Sequence, residues 1–306
     1  MQSAKRVAAI DCGTNSIRLL IADVESGSLR DVVREMRIVR LGQDVDRTGR
    51  LAPEALERTR VALADYASTV QSCGAERVRM VATSATRDAS NRADFVAMVN
   101  ATLGVDPEVI TGREEAELSF AGAVSVLAHV SGPLLVADIG GGSTELVRGG
   151  DGDLRAHSMD VGCVRMTERH LHDDPPTPEQ IEAAVLDIRA AITAARADVP
   201  LDSAVTFVGV AGTVTTIAAI ALGLPAYDPD AIHGSTITSD QVQDVTRRLL
   251  AMTHEQRAAL PVMHPGRVDV IGAGALVLRT LVEEIGVDAV VASEHDILDG
   301  IALSLA

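Results

Sequence analysis

Two stretches of this chain follow one pattern. In "AAIDCGTNSIRLLIADV" (8–24) an apolar run reaches Asp11, turns through Gly13, Thr14, Asn15 and Ser16, and becomes apolar again. In "LLVADIGGGSTELVRGG" (134–150) the device returns at Asp138, with Gly140, Gly141, Gly142, Ser143 and Thr144 in the turn. Asp11 aligns with Asp138, Gly13 with Gly140, Ser16 with Ser143 and Leu19 with Leu146. Apolar runs joined by a short small-residue turn predict a β-hairpin. A hairpin used twice implies two similar domains in tandem, and 306 residues fit about two domains. The expected division is 1–125 and 126–295, with a closing helix at about 296–306 as a candidate to return to the first domain.

Between the hairpins the periodicity alternates. Residues 28–42 supply a possible third strand, and 52–74 have helical spacing with Leu56, Val61, Leu63 and Tyr66 as an apolar stripe and Gly74 as a stop. Residues 77–87 read as strand then loop, 91–104 as a helix, and 107–127 as a short strand, a turn and a helix from near Arg113. Downstream, "DDPPTPEQ" (173–180) is a linker-like turn into a long helix. Residues 204–224 are a strand, a Gly turn and an apolar helix; 268–286 are a Gly-interrupted helix; 289–306 are a strand, a loop and a helix. Strands alternating with helices give the α/β class.

Composition excludes several functions. Aromatics are 2% and Trp is absent, which leaves little material for stacking bases. A net charge of −16 argues against a broad basic face for nucleic acid or an anionic membrane. It does not exclude a local anion site, because charges are screened within about 8 Å in physiological salt. Cys12, Cys73 and Cys163 lie far apart with no CxxC pair, so neither a zinc knuckle nor a disulfide framework is expected. Asp11 cuts the first apolar run too early for a signal peptide, and no uncharged run approaches a membrane span. The expectation is a cytoplasmic protein without nucleic-acid or membrane partners.

The repeated turn carries the chemistry. Gly and Ser leave backbone N–H groups unobstructed, and several pointing inward form an anion-binding nest. Two such nests across a cleft would grip a phosphate from both sides. Acids at the strand ends, Asp11 and Asp138, suit a Mg²⁺ ion that bridges to phosphate. Neither copy is a Walker A loop, and neither gives GxGxxG followed by a helix.

With "VATSATRDASN", "EVITGREEAELSFAGAV" and "VGVAGTVTTIAAI", the two hairpins resemble, in order along nearly the whole chain, the exopolyphosphatase / guanosine pentaphosphate phosphohydrolase family. The resemblance implies an actin-like, sugar-kinase-type fold of two ribonuclease-H-like domains with the site in the interdomain cleft, in its short two-domain form. It implies Mg²⁺-dependent hydrolysis of terminal phosphoanhydrides (Mn²⁺ as the alternative ion), on inorganic polyphosphate or on guanosine pentaphosphate, the latter tying the chain to the stringent response. By motif, Glu115 matches the carboxylate that activates the attacking water, with Glu114 beside it as the competing assignment. Asp138, Glu145 and Asp11 match the acids near metal and water. Gly13 to Ser16 and Gly140 to Thr144 match the phosphate-cradling turns, and Arg87 an arginine on the phosphates. Gly212 and Thr213 are candidates for more distal phosphates, and Arg267 for holding a long anionic chain. "DILDG" (296–300) departs from the family's "LREG".

Other features have plainer readings. His170 and His172 in "ERHLHDD" mark a helix end before the Pro-rich turn rather than a metal site. Arg165 and Arg169 are expected on the surface, and His233 either in a turn or lining the site. Rival functions are a phosphotransferase, which a water-activating Glu115 opposes, a non-catalytic nucleotide or polyphosphate sensor, and a filament subunit. A homodimer is the expected assembly if a long anionic chain needs a long track.

Overall fold

The computed structural model describes residues 5–125, 132–150, 152–202 and 206–306. The chain divides into two compact units, Met1–Val126 with Asp296–Ala306, and Leu127–His295. The boundary expected at 125/126 falls against residues 126–131, which lie outside the described residues.

The first unit opens with an antiparallel meander, β1 (Lys5–Cys12), β2 (Ser16–Glu25) and β3 (Ser28–Ile38). There follow α1 (Val45–Thr48), α2 (Pro53–Cys73), β4 (Arg77–Ala82), α3 (Ser84–Asp88), α4 (Arg92–Leu103), β5 (Glu108–Val109) and α5 (Gly112–Val124). The sheet order is β3-β2-β1-β4-β5, with β4 parallel to both β1 and β5. β1 is apolar on both faces because both are covered. Ala8, Ile10 and Cys12 join a core with Leu63 and Tyr66 of α2 and Phe95 and Val99 of α4. Val7 and Ala9 join a second core with Ile297, Leu298 and Ile301 of the closing helix. That helix packs against α5 so closely that a side chain on Gly122 would overlap the Asp296 carbonyl.

Two expectations are corrected here. Val61 is 49% exposed, so the buried stripe of α2 runs instead through Ala55, Thr59, Ala62, Leu63, Tyr66 and Val70. Val61 follows Arg60 on a face where Arg60 pairs with Glu57, three positions back, and that face is solvated. Residues 84–88 form a helical turn rather than a loop, and it starts one residue beyond β4.

The second unit repeats the plan with β6 (Leu134–Ile139), β7 (Thr144–Gly149), β8 (Arg155–Met159), α6 (Cys163–His170), α7 (Pro178–Ala195), β9 (Thr206–Val210), α8 (Ala211–Ala221), α9 (Pro229–Ile232), β10 (Thr236–Thr238), α10 (Ser239–Ala251), α11 (His254–Ala258), α12 (Ile271–Ile285) and β11 (Ala289–Ala292). The closing helix of the first unit is α13 (Ile297–Leu303). The order β10-β11-β9-β6-β7-β8 places β6, β7 and β8 as a meander and β9 parallel to β6 and β11. Each unit is thus a ribonuclease-H-like mixed sheet, and the α/β, two-domain class holds. No Gly turn separates β9 from α8, contrary to the pattern expectation. The helix begins at Ala211, whose φ of 67° supplies the bend that the glycines were expected to make. No described helix is long and apolar enough to cross a membrane.

Candidate active site

In the first unit the candidates gather at the carboxyl ends of adjacent parallel strands. Asp11 and Cys12 of β1 register with Val81 and Ala82 of β4, and Val81 and Ala82 register with Glu108 and Val109 of β5. The turn after β1, helix α3 after β4 and helix α5 after β5 therefore start from one sheet edge, the usual place for ligands in such sheets.

The turn is closed by Gly13 N donating to the Ser16 carbonyl at 3.0 Å. Its outward carbonyls are taken by the loop after β3: Asn15 O accepts from Val39 N (3.0 Å) and Arg40 N (2.8 Å), and Thr14 O from Gly42 N (2.8 Å). Asp11 is 4% exposed. Its Oδ2 accepts from Arg18 Nε (3.0 Å) and Nη2 (2.6 Å), whereas its Oδ1 and the Thr14 hydroxyl are buried without a partner. Burial pushes the Asp11 carboxyl above the usual range, with Arg18 opposing.

The adjacent acids of α5 part company. Thr111 caps the helix by accepting from Glu114 N (3.2 Å). Glu115 turns inward, 7% exposed, and accepts from Arg87 Nη1 at 2.9 Å. Arg87 also donates to the Ile110 carbonyl (3.2 Å). Glu114 points to solvent, where Arg79 holds it at 2.9 Å. Successive helical residues lie about 100° apart, so one of two neighbouring acids is buried and the other is not.

In the second unit Gly140 N donates to the Ser143 carbonyl at 3.0 Å, the same closure. The amino end of α6 is bonded into this turn: Cys163 N donates to Gly140 O (2.9 Å), and Val164 N (2.9 Å) and Arg165 N (3.1 Å) to Gly141 O. Arg165 Nε donates to Gly142 O at 2.6 Å, so Arg165 belongs to the turn and not to the surface as expected. Its side chain is drawn in by a carbonyl that the helix leaves over. Asp138 and Glu145 register directly across the hairpin, 7% and 1% exposed. Glu145 accepts from Ser158 Oγ of β8 at 2.7 Å, and Thr144 Oγ1 donates to the Val161 carbonyl at 2.7 Å. Ser143 is buried at 2%.

Asp138 also registers with Val210, the residue before α8, so Gly212 and Thr213 sit at the adjacent helix start. Arg267 is half-buried and lies over Gly212, where any side chain would overlap its guanidinium; its Nη1 donates to Thr216 Oγ1 at 3.0 Å. His170 contacts Asp187 (2.8 Å), and the His233 ring meets the His295 ring edge-on at 4.9 Å. Arg18, Ser158 and Arg165 were missed by sequence reading. Arg18 alone had a signal, as the one charge early in an apolar strand opposite Asp11.

Among the described residues no three His, Cys, Asp or Glu side chains form a ready-made metal cage. Asp138 and Glu145 provide two opposed carboxylates instead. That donor set fits Mg²⁺, which is held by one or two carboxylates and completes its shell with water and phosphate oxygens.

Residues 20–306 match the family described as Ppx/GppA phosphatase family. A Mycobacterium tuberculosis protein named Exopolyphosphatase 2 is 56% identical over 98% of both chains. A Vibrio cholerae protein named Guanosine-5'-triphosphate,3'-diphosphate pyrophosphatase is 29% identical over 99% of this chain and 60% of its own length. The crystal structure of the Aquifex aeolicus member of the Ppx/GppA family covers 98% of this chain at 32% identity, with a TM-score of 0.81. That of an exopolyphosphatase-like protein covers all of it at 46% identity, with a TM-score of 0.97.

Proposed function

We propose that this chain, which belongs to the Ppx/GppA phosphatase family, hydrolyses the terminal phosphoanhydride of inorganic polyphosphate with Mg²⁺ and releases orthophosphate. The observation that carries the choice of substrate is the 56% identity, over 98% of both chains, with a protein named Exopolyphosphatase 2. The chemistry rests on the site residues. Glu115 takes a proton from the attacking water, whose oxygen bonds to the terminal phosphorus while the anhydride P–O bond breaks and its electron pair leaves on the shortened chain. Arg87 holds the Glu115 carboxylate and binds phosphate oxygens beside it. Gly13 N, Gly140 N and the Thr144 hydroxyl close the turns; the N–H groups and hydroxyls of 14–16 and 141–143 bind phosphate oxygens, and Gly212, Thr213 and Arg267 bind phosphates further along. Asp138 and Glu145, with Asp11 as a further carboxylate, would hold Mg²⁺, which when bound neutralises the developing charge.

Hydrolysis of guanosine pentaphosphate is the second reading. It rests on the Vibrio cholerae relative and uses the same residues on a different anchor. The test is orthophosphate release with Mg²⁺ from short polyphosphate, long polyphosphate, guanosine pentaphosphate and ATP. Fast release from polyphosphate is expected. Release from guanosine pentaphosphate alone would replace the first reading by the second, and no release from any would sink both.

A further inference from the structure

The acid of the first turn is held from a distant part of the chain. Arg18 directs Nε (3.0 Å) and Nη2 (2.6 Å) to Asp11 Oδ2, and its Nη1 bonds to Asp296 Oδ2. Asp296 is itself fixed. It is 4% exposed, its Oδ1 caps α13 by accepting from Leu298 N (3.0 Å), and its own N–H donates to Asp299 Oδ2 (3.0 Å). Arg18 therefore cannot swing away from Asp11 without abandoning a buried carboxylate, which is strongly unfavourable. Burial opposes the Arg18 charge, but the Asp296 and Asp11 carboxylates outweigh it and hold the guanidinium protonated. The consequence falls on Asp11: one carboxylate oxygen is fully occupied, and the other is buried with no protein partner. A buried acceptor left unmade is unfavourable, a penalty that a bound ligand would remove.

We propose that Asp296 is a positioning residue of the reaction. It anchors Arg18, which pins Asp11 so that Oδ1 is kept for the metal ion and its water. This rests on the proposed phosphoanhydride hydrolysis, and it gives a task to "DILDG", the segment that departs from the family pattern. Arg18, with Nε, Nη1 and Nη2 each bonded to a carboxylate, serves Asp11 rather than the phosphate chain.

The experiment uses the full chain and three variants. Asp296→Asn keeps the helix-capping oxygen and removes the charge. Arg18→Lys keeps the charge and removes the bridge. Ile301→Val loosens the packing of the same helix while lying outside the Asp11–Arg18–Asp296 chain. Three readouts are taken: kcat and KM for polyphosphate, Mn²⁺ binding without substrate by electron paramagnetic resonance, and the melting temperature. Asp296→Asn and Arg18→Lys should each lower kcat and weaken Mn²⁺ binding about tenfold or more, with KM nearly unchanged. Ile301→Val should lower the melting temperature only. Wild-type kcat and Mn²⁺ affinity in Asp296→Asn, or a rise in KM alone, would overturn the assignment. If the wild-type chain releases no phosphate, the proposed function fails by itself, and the Mn²⁺ titration still decides whether Asp296 positions Asp11.

Discussion

In each hairpin the glycine amide after the acid-bearing strand donates 3.0 Å to a serine carbonyl, and the acid stands opposite the residue seven positions on. For Asp11 that residue is Arg18; for Asp138 it is Glu145. One backbone device thus carries two charge arrangements. The first hairpin neutralises its acid internally, through an arginine shared with Asp296. The second sets two buried carboxylates against each other, and like charges directly opposed across a hairpin destabilise it. The proposed Mg²⁺ would relieve that repulsion. The repeat therefore supplies geometry, and the residue across the hairpin decides which charge faces the acid: an arginine for Asp11, a second carboxylate for Asp138.

The largest effect is expected from a residue in neither hairpin. Glu115→Gln should lower kcat about 10²–10⁴-fold with polyphosphate binding retained, whereas Glu114→Gln should leave turnover near wild type. Comparable losses in both, measured by phosphate release, would mean that burial does not choose the base. Next, Glu145→Gln removes one of the opposed carboxylates. The Mg²⁺ needed for half-activation should rise and kcat fall about 10²-fold or more, while the metal-free protein becomes more thermostable by about 0.2–1 kcal/mol. Arg18→Met should act on stability in the opposite sense. It strands Asp11 and Asp296 and should cost about 3–5 kcal/mol in urea unfolding. If both variants shift stability in the same direction, the contrast between the hairpins fails.

The smallest effects concern pH. The Asp11 carboxyl is raised by burial, so its contribution to stability falls as pH rises from the ordinary Asp value of about 3.9 to its raised value in the folded protein. Asp187 behaves oppositely. Burial would raise it, but His170 and Arg169 outweigh burial and lower it. The stability it contributes is full above the ordinary Asp value and is lost as pH falls through its lowered one. Urea midpoints between about pH 3 and pH 6 for Asp187→Asn and wild type should therefore diverge as pH rises.

Much of the plan was readable in one dimension. Both hairpins, the acids at their strand ends and most helices follow from apolar periodicity and from Gly and Pro punctuation, which act between residues close in sequence. Val61 shows the limit: its helical spacing predicts core, whereas the arginine and glutamate around it mark a solvated face. β8 was missed because "RAHSM" is polar and only half-buried, and it is Ser158 of that strand that reaches Glu145.

The sequence by itself determined that an acid and a small-residue turn occur twice, since a turn's conformation depends on a few adjacent residues. It offered Glu115 as the base with Glu114 as its competitor, Arg165 as a surface arginine and Arg267 as a candidate for holding an anionic chain. Only the tertiary structure buried Glu115 on Arg87, drew Arg165 onto Gly142 and set Arg267 over Gly212. It also brought Asp296 from the far end of the chain to Arg18. Those outcomes depend on which buried charge finds which partner across tens to hundreds of residues. Periodicity carries no record of such pairings, and an unpaired buried charge is costly enough that packing must resolve every one of them.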